Sequence, residues 1–177
     1  MADAAACSFS YLHASAINGH AVGAGLCFAL GCDIRIAAEK AKLGVTFVGL
    51  GLHPGMASTH FLPKIVGPQI ASQMLLTGEL ISGTEAARRG LVLEAVAEEE
   101  GSNNTLARAT ALAEQIAQQG PISVQTCVRS LRMAQDEGLE KAVWREADAQ
   151  AQCYASADLL EGVQAVGEKR KPEFFKK

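Results

Sequence analysis

Two kinds of hydrophobic pattern divide the chain. Residues 10 to about 97 carry short apolar runs separated by glycine-rich turns. Residues 103 to 167 are rich in Ala, Gln, Leu and Glu and read as helices. The polar stretch Glu98-Glu99-Glu100-Gly101-Ser102-Asn103-Asn104 connects them. The expected organisation is therefore a core over 1–97 and a helical region over 98–177.

Within the first part, Tyr11 to Ile17 reads as a strand ending at the Asn18-Gly19 turn. A short helix is expected from Gly23 or Ala24 to about Gly31. Asp33 to Ala37 alternates and reads as a strand, and Lys42 to Phe47 as another. Pro54-Gly55 marks a turn, with a helix from about Ala57. Pro68 suits a first helical turn and opens a helix to Leu76. Ser82-Gly83-Thr84-Glu85 has the form of a capping box, and the helix it starts should stop at Gly90. Leu91 to Val96 completes the strands. In the second part, helices are expected near 104–119, 121–136, 139–155 and 157–167. Leu106, Ala109, Ala113, Ile116 and Ala117 form the stripe of the first, and Ser156 is the candidate N-cap of the last.

Composition narrows the class. The 177 residues suit one domain, perhaps with a small appendage, and 49% hydrophobic with 20% charged residues is ordinary for a globular protein. A net charge of −3 and 5% aromatics argue against a nucleic-acid surface. Cys7, Cys27, Cys32, Cys127 and Cys153 are odd in number and irregular in spacing, which favours reduced thiols of an intracellular protein. No apolar run nears the roughly 18 residues a membrane span needs. The start MADAAACSFSYLH has neither a secretory nor a transit pattern, and the FFKK ending is not a peroxisomal address. Cytoplasm and mitochondrion both remain open.

Asn18-Gly19-His20-Ala21-Val22-Gly23-Ala24-Gly25-Leu26 is the stretch best suited to chemistry. Its glycines let the backbone pass close to a ligand and then enter a helix. Free N–H groups and the helix dipole at such a start can stabilise an oxyanion, for example a thioester enolate. On physics alone a purely structural glycine turn is the favoured reading of the stretch. GxGxxG spacing is absent here and at Gly49-Leu50-Gly51, which removes a dinucleotide reading.

Taken together, AINGHAVGAG, CDIRIAAEKAKLG, GLHPG, FLPKIVG, LLTGELISGTEAARRGLV and EKRKPEF occur in an order that resembles the enoyl-CoA hydratase/isomerase (crotonase) family, from roughly Ser15 to the C-terminus. The resemblance implies an α/β fold, a spiral of β-β-α units followed by a C-terminal helical trimerisation region. It implies acyl-CoA thioesters as ligands, a homotrimer or hexamer, and no cofactor beyond the CoA of the substrate. About a third of a typical member, with its early strands, would lie upstream of the matching residues, and residues 1 to about 10 do not match that region.

The resemblance also assigns positions. An oxyanion-hole N–H falls at Ala24, flanked by Gly23 and Gly25, and a backbone group of the Gly55 turn lies near the reacting atoms. The two glutamates that hydratases use fall at Cys27 and Phe47. Hydration needs one group to deprotonate water and another to protonate carbon; Phe47 can do neither, and a thiol with an ordinary pKa of about 8.5 is a poor substitute. No acid occurs between Asp3 and Asp33 or between Glu39 and Glu79, so any proton transfer there falls to His20, His53, His60 or a cysteine.

Each sharp reading has a plainer rival. Cys27 is a reactive thiol or, the favoured reading, a small buried hydrophobe. His53 is a general base or a hydrogen-bonded loop histidine, the latter favoured, and His60 belongs on a helix surface. The four histidines form no metal site. Asp33 should accept backbone hydrogen bonds. Lys169, Arg170 and Lys171 either approach CoA phosphates of a neighbouring subunit or form a solvated run. Val166 stands where relatives usually have Phe, weakening adenine or acyl packing.

Four functions compete: an acyl-CoA enzyme with altered acid/base chemistry, a non-catalytic acyl-CoA-binding or assembly subunit, an RNA binder, which the charge disfavours, and a gene fragment without activity. An exposed strand edge leads us to expect that the isolated chain depends on oligomerisation or aggregates.

Overall fold

The computed structural model describes residues 11–50, 52–99, 101–134, 148, 151–152 and 154–174. One compact unit is His13–Leu112; the other comprises Ala113–Lys177 and the segment before His13.

The first unit alternates between two sheets. Strands β1 (Ala14–Ile17), β3 (Ile34–Ala38) and β6 (Glu94–Val96) form one, in the order β1-β3-β6; β2 (Ala21–Val22), β4 (Lys42–Gly44) and β5 (Ile81–Ser82) form the other, in the order β2-β4-β5. The chain passes from β1 to β2, through α1 (Ala24–Leu30), and back to β3 beside β1, in parallel register Ala14↔Ile34 to Ile17↔Ala37. It repeats the step from β3 to β4, with Ala21↔Leu43 pairing parallel to β2, then runs through α2 (Ser58–Val66) and α3 (Pro68–Thr77). β5 returns antiparallel to β4, α4 (Gly83–Arg88) follows, and β6 closes parallel to β3. This is the expected β-β-α spiral. Leu26, Ile36, Leu43, Leu62, Met74 and Leu91, drawn from strands, helices and a turn, are all fully buried.

The strands are shorter than the sequence pattern predicts, for local reasons. Tyr11 to His13 stay outside β1 because His13 is engaged by the turn after α1: its N–H donates to the Asp33 carboxylate at 2.8 Å, and its carbonyl accepts from Asp33 N–H. Asp33 thus has the backbone-accepting role expected of it. β4 stops at Gly44 because its partner β2 ends at Val22; the chain then turns into a 3-10 segment, Phe47–Leu50. Leu91 and Val92 donate their N–H groups to Ala86 O, closing α4 instead of extending β6. The two-residue strands β2 and β5 lie below what a period-2 pattern can reveal.

The Ser82 hydroxyl accepts the Glu85 N–H at 3.1 Å, as the capping box requires. The Glu85 carboxylate pairs with Arg88 and then Arg89, which hold it down to about 2. Gly83 is packed so tightly that a Cβ would press into the Ala38 carbonyl; the step from β5 into α4 needs a residue without a side chain.

Glu98, read from sequence as connector, is the cap of α5 (Asn104–Ala117). Its carboxylate accepts the Ser102 hydroxyl, the Asn104 N–H at 3.0 Å and the Thr105 N–H at 2.7 Å. Orphan donors and the positive end of the dipole both favour an anion there.

In the second unit, α6 spans Pro121–Ala134 and α7 spans Ala157–Glu168. The helix expected near 139–155 lies largely outside the described residues. Beyond α7 the chain folds back: Arg170 N–H reaches Ala165 O at 3.1 Å, and Phe174 packs beside Gly120 and Gly162. Glu161 fastens this turn, accepting from Arg170 and from the Glu173 N–H at 2.8 Å.

Candidate functional site

The glycine-rich turn leads from β2 directly into α1. Gly23 sits at φ 57°, ψ −119°, a conformation that disfavours any side chain, and donates its N–H to Gly44 O at 2.9 Å. Ala24, Gly25 and Leu26 open the helix, where N–H groups have no intrahelical acceptor; Cys27 N–H donates to Gly23 O at 3.1 Å. Ala24 and Gly25 are exposed. The Thr46 hydroxyl flanks the turn, 3.7 Å from where a Gly23 Cβ would stand.

Cys27, one turn into α1, is 3% exposed. Burial pushes its thiol up, and a hydrogen bond with Ser58 offsets this only in part. That is the environment of a protonated, inert thiol, and the hydrophobe reading prevails over the reactive one. Ser58, at the start of α2, is 0% exposed and donates to Gly55 O at 2.8 Å. Helices α1 and α2 pack against each other, and the Ser58–Gly55 bond fixes the Gly55 turn to the start of α2. Sequence reasoning missed Ser58 and Thr46. Neither carries a charge or motif, and their roles depend on packing between elements.

Phe47 begins the 3-10 segment and is half-buried against the core; it lies on no strand, which corrects the expectation. His53 is exposed, and its Nδ1–H donates to Pro54 O at 2.7 Å. That bond leaves Nε2 as the nitrogen without a proton in the neutral ring. His20 accepts the Lys42 N–H through Nδ1 at 3.0 Å, tying the β1–β2 turn to β4. His60 lies on the exposed face of α2, 3.0 Å from Lys64 Nζ and edge-on to Phe61 at 5.2 Å.

Met56 and Ala57 both adopt left-handed backbone, φ 51° and 56°. Two successive non-glycine residues there cost on the order of 1–3 kcal/mol each, strain that clusters at the Gly55 turn.

In the second unit, the basic run separates by role. Arg170 is bound by Glu161 and Glu168, while Lys169, at φ 55°, and Lys171 are exposed. The Val166 side chain falls outside the described residues. Among the described residues, Cys27, Cys32 and Cys127 form no disulfide, no His/Cys/Asp/Glu group could hold a metal ion, and no helix is long and apolar enough to cross a membrane.

A β-β-α spiral with a glycine turn opening its first helix defines a class, and comparison with known proteins agrees. The enoyl-CoA hydratase/isomerase family model matches residues 4–177, and the chain belongs to that family. The match reaches back to residue 4, farther than the limit near Ser15 that the motifs indicate. A crotonyl-CoA hydratase of Syntrophomonas wolfei is 39% identical over 163 residues, 92% of this chain and 61% of that protein. Human enoyl-CoA hydratase domain-containing protein 2, mitochondrial, is 40% identical over 167 residues, 92% of this chain and 56% of that protein. The crystal structure of an enoyl-CoA hydratase from Bacillus anthracis superposes with a TM-score of 0.88 at 36% identity, covering 93% of this chain and 62% of that one. The fold is thus the crotonase fold, and the chain spans about 60% of the length of these relatives.

Proposed function

We propose that this chain binds acyl-CoA thioesters and polarises the thioester carbonyl through the Ala24 N–H, stabilising an enolate without the carboxylate pair of a hydratase. One observation carries the reading: the two positions where hydratases keep glutamate hold a sealed thiol, Cys27, and a half-buried phenyl ring, Phe47. Carbonyl polarisation needs only backbone N–H groups and survives this loss; activation of water does not. Proton transfer, where it occurs, falls to His53 through Nε2. Lys169 and Lys171 are suited to CoA phosphates in a homotrimer or hexamer, and no separate cofactor is invoked.

A second reading is a non-catalytic acyl-CoA-binding or assembly subunit, favoured by the same two substitutions. Calorimetric titration with acetoacetyl-CoA, beside a crotonyl-CoA hydration assay on the same preparation, separates the alternatives. Binding without hydration is the expected result. Hydration at a rate typical of enzymes would mean that another group replaces the glutamates. Absence of binding would remove the thioester reading altogether.

A further inference from the structure

The strand that feeds the glycine turn is short, and a side chain lengthens its pairing. Two residue pairs, Ala21↔Leu43 and Val22↔Gly44, join β2 to β4. One step earlier in that register His20 stands opposite Lys42, and its ring takes the place of backbone: Nδ1 accepts the Lys42 N–H at 3.0 Å. Gly23 N–H to Gly44 O, 2.9 Å, closes the other end. The strand entering the turn is thus held at both ends, and the His20 end depends on the proton state of a side chain. A neutral imidazole can accept through Nδ1; a protonated one has two donors and no acceptor. Histidine is the side chain that ordinarily changes charge between pH 5 and 8. His20 is exposed, so solvent protons reach it. β2 packs against α1 and β4. α1 carries no charged residue, and its titratable group, Cys27, is buried; β4 carries Lys42, and the exposed turn before it carries Glu39 and Lys40. Neither packed element has an acid that would keep a protonated ring in place.

We propose that His20 is a positioning residue for the glycine turn: its neutral ring fixes β2 to β4 and so aims the Ala24 N–H, and protonation releases that hold. Carbonyl binding at Ala24 then weakens as pH falls. This rests on the thioester reading above, because the aim of Ala24 matters only if a carbonyl is bound there.

The test uses the full chain at pH 8 and at pH 5. His20→Asn offers an oxygen acceptor in place of Nδ1 and does not titrate; His20→Phe keeps a ring without an acceptor. Hydrogen–deuterium exchange at the Lys42 amide reads the bond itself. Comparing the chains at one pH cancels the titration of the ligand, of His53 and of exchange chemistry. At pH 8 the wild type and His20→Asn should exchange alike, with His20→Phe about fivefold faster; at pH 5 the wild type should join His20→Phe. Affinity for acetoacetyl-CoA, which has the carbonyl, should follow the same order by about fivefold, and free CoA, which lacks it, should bind all three alike. A wild type that stays with His20→Asn at pH 5, or a His20→Asn variant that behaves like His20→Phe at pH 8, would overturn the role. So would an exchange difference without a matching difference for acetoacetyl-CoA, or a loss shared equally by free CoA. A wild-type chain that fails to bind acetoacetyl-CoA at pH 8, with Lys42 exchange in the expected order, would overturn the thioester reading and the positioning role with it, while the His20 bond itself stands.

Discussion

The two units use hydrophobic residues in different ways. In His13–Leu112, strands β1 to β5 and most helices send side chains into one core; Leu26, Leu43, Leu62, Met74 and Leu91 in it are all inaccessible. Among the described residues of the helical unit, Val128 and Ala165 are the buried hydrophobics, while Leu131, Tyr154, Leu160 and Val163 are exposed by 65% or more. The helical unit relies instead on end-fastening contacts such as Glu161 with Arg170 and the Glu173 N–H. A long-range core makes the first unit sensitive to single truncations; a helix with an exposed apolar face is not.

Truncating one leucine in each unit measures that contrast. Leu43→Ala removes a fully buried side chain from β4, which joins β2 to β5, and should cost about 2–5 kcal/mol in chemical denaturation. Leu160→Ala, at a site 74% exposed, should stay within about 0.5 kcal/mol. Equal losses would show that the α7 face is covered in solution, and the contrast would fail.

Reactivity of the two cysteines sharpens the same contrast. Cys27 is sealed in the first unit, its thiol pushed up by burial, whereas Cys127 is exposed on α6. Alkylation by iodoacetamide at pH 8, mapped by peptide mass, should be slower at Cys27 on the order of 100-fold. Comparable rates would mean that the α1–α2 contact opens readily, and that Cys27 is available for chemistry after all.

What the sequence revealed follows the range of the interactions involved. Helices α3, α4 and α7 were legible because Pro68, the Ser82–Glu85 cap and helical spacing act within a few residues. The glycine turn at Gly23 was legible too, since backbone geometry alone demands glycine there. β2 and β5 were not, because two residues carry no period and their pairing with Leu43 spans the fold. Ser58 escaped because an uncharged residue at a helix start shows its bond to Gly55 O only once the turn has folded. Cys27 and Phe47 were identified by family resemblance, and burial then decided between a reactive thiol and an inert one.

Glu98 gives the smallest effect but tests the border between the regions, where sequence indicates only a polar connector. In the fold its carboxylate is held down to about 2, first by the Ser102 hydroxyl and then by Thr105, with Asn104 adding a backbone donor. The folded value lies below the ordinary 4.5, so the folded state favours the ionised form. Its contribution is complete above pH 4.5 and is lost as pH falls through about 2. Glu98→Gln should therefore lower the melting temperature near pH 6, and the gap from wild type should narrow steadily as pH falls toward 3. Glu85 and Glu161 titrate in the same window, so both proteins lose stability on acidification; the difference between them isolates the cap. A gap independent of pH would mean that the amide loses hydrogen-bond geometry alone, and that the charge of Glu98 contributes nothing.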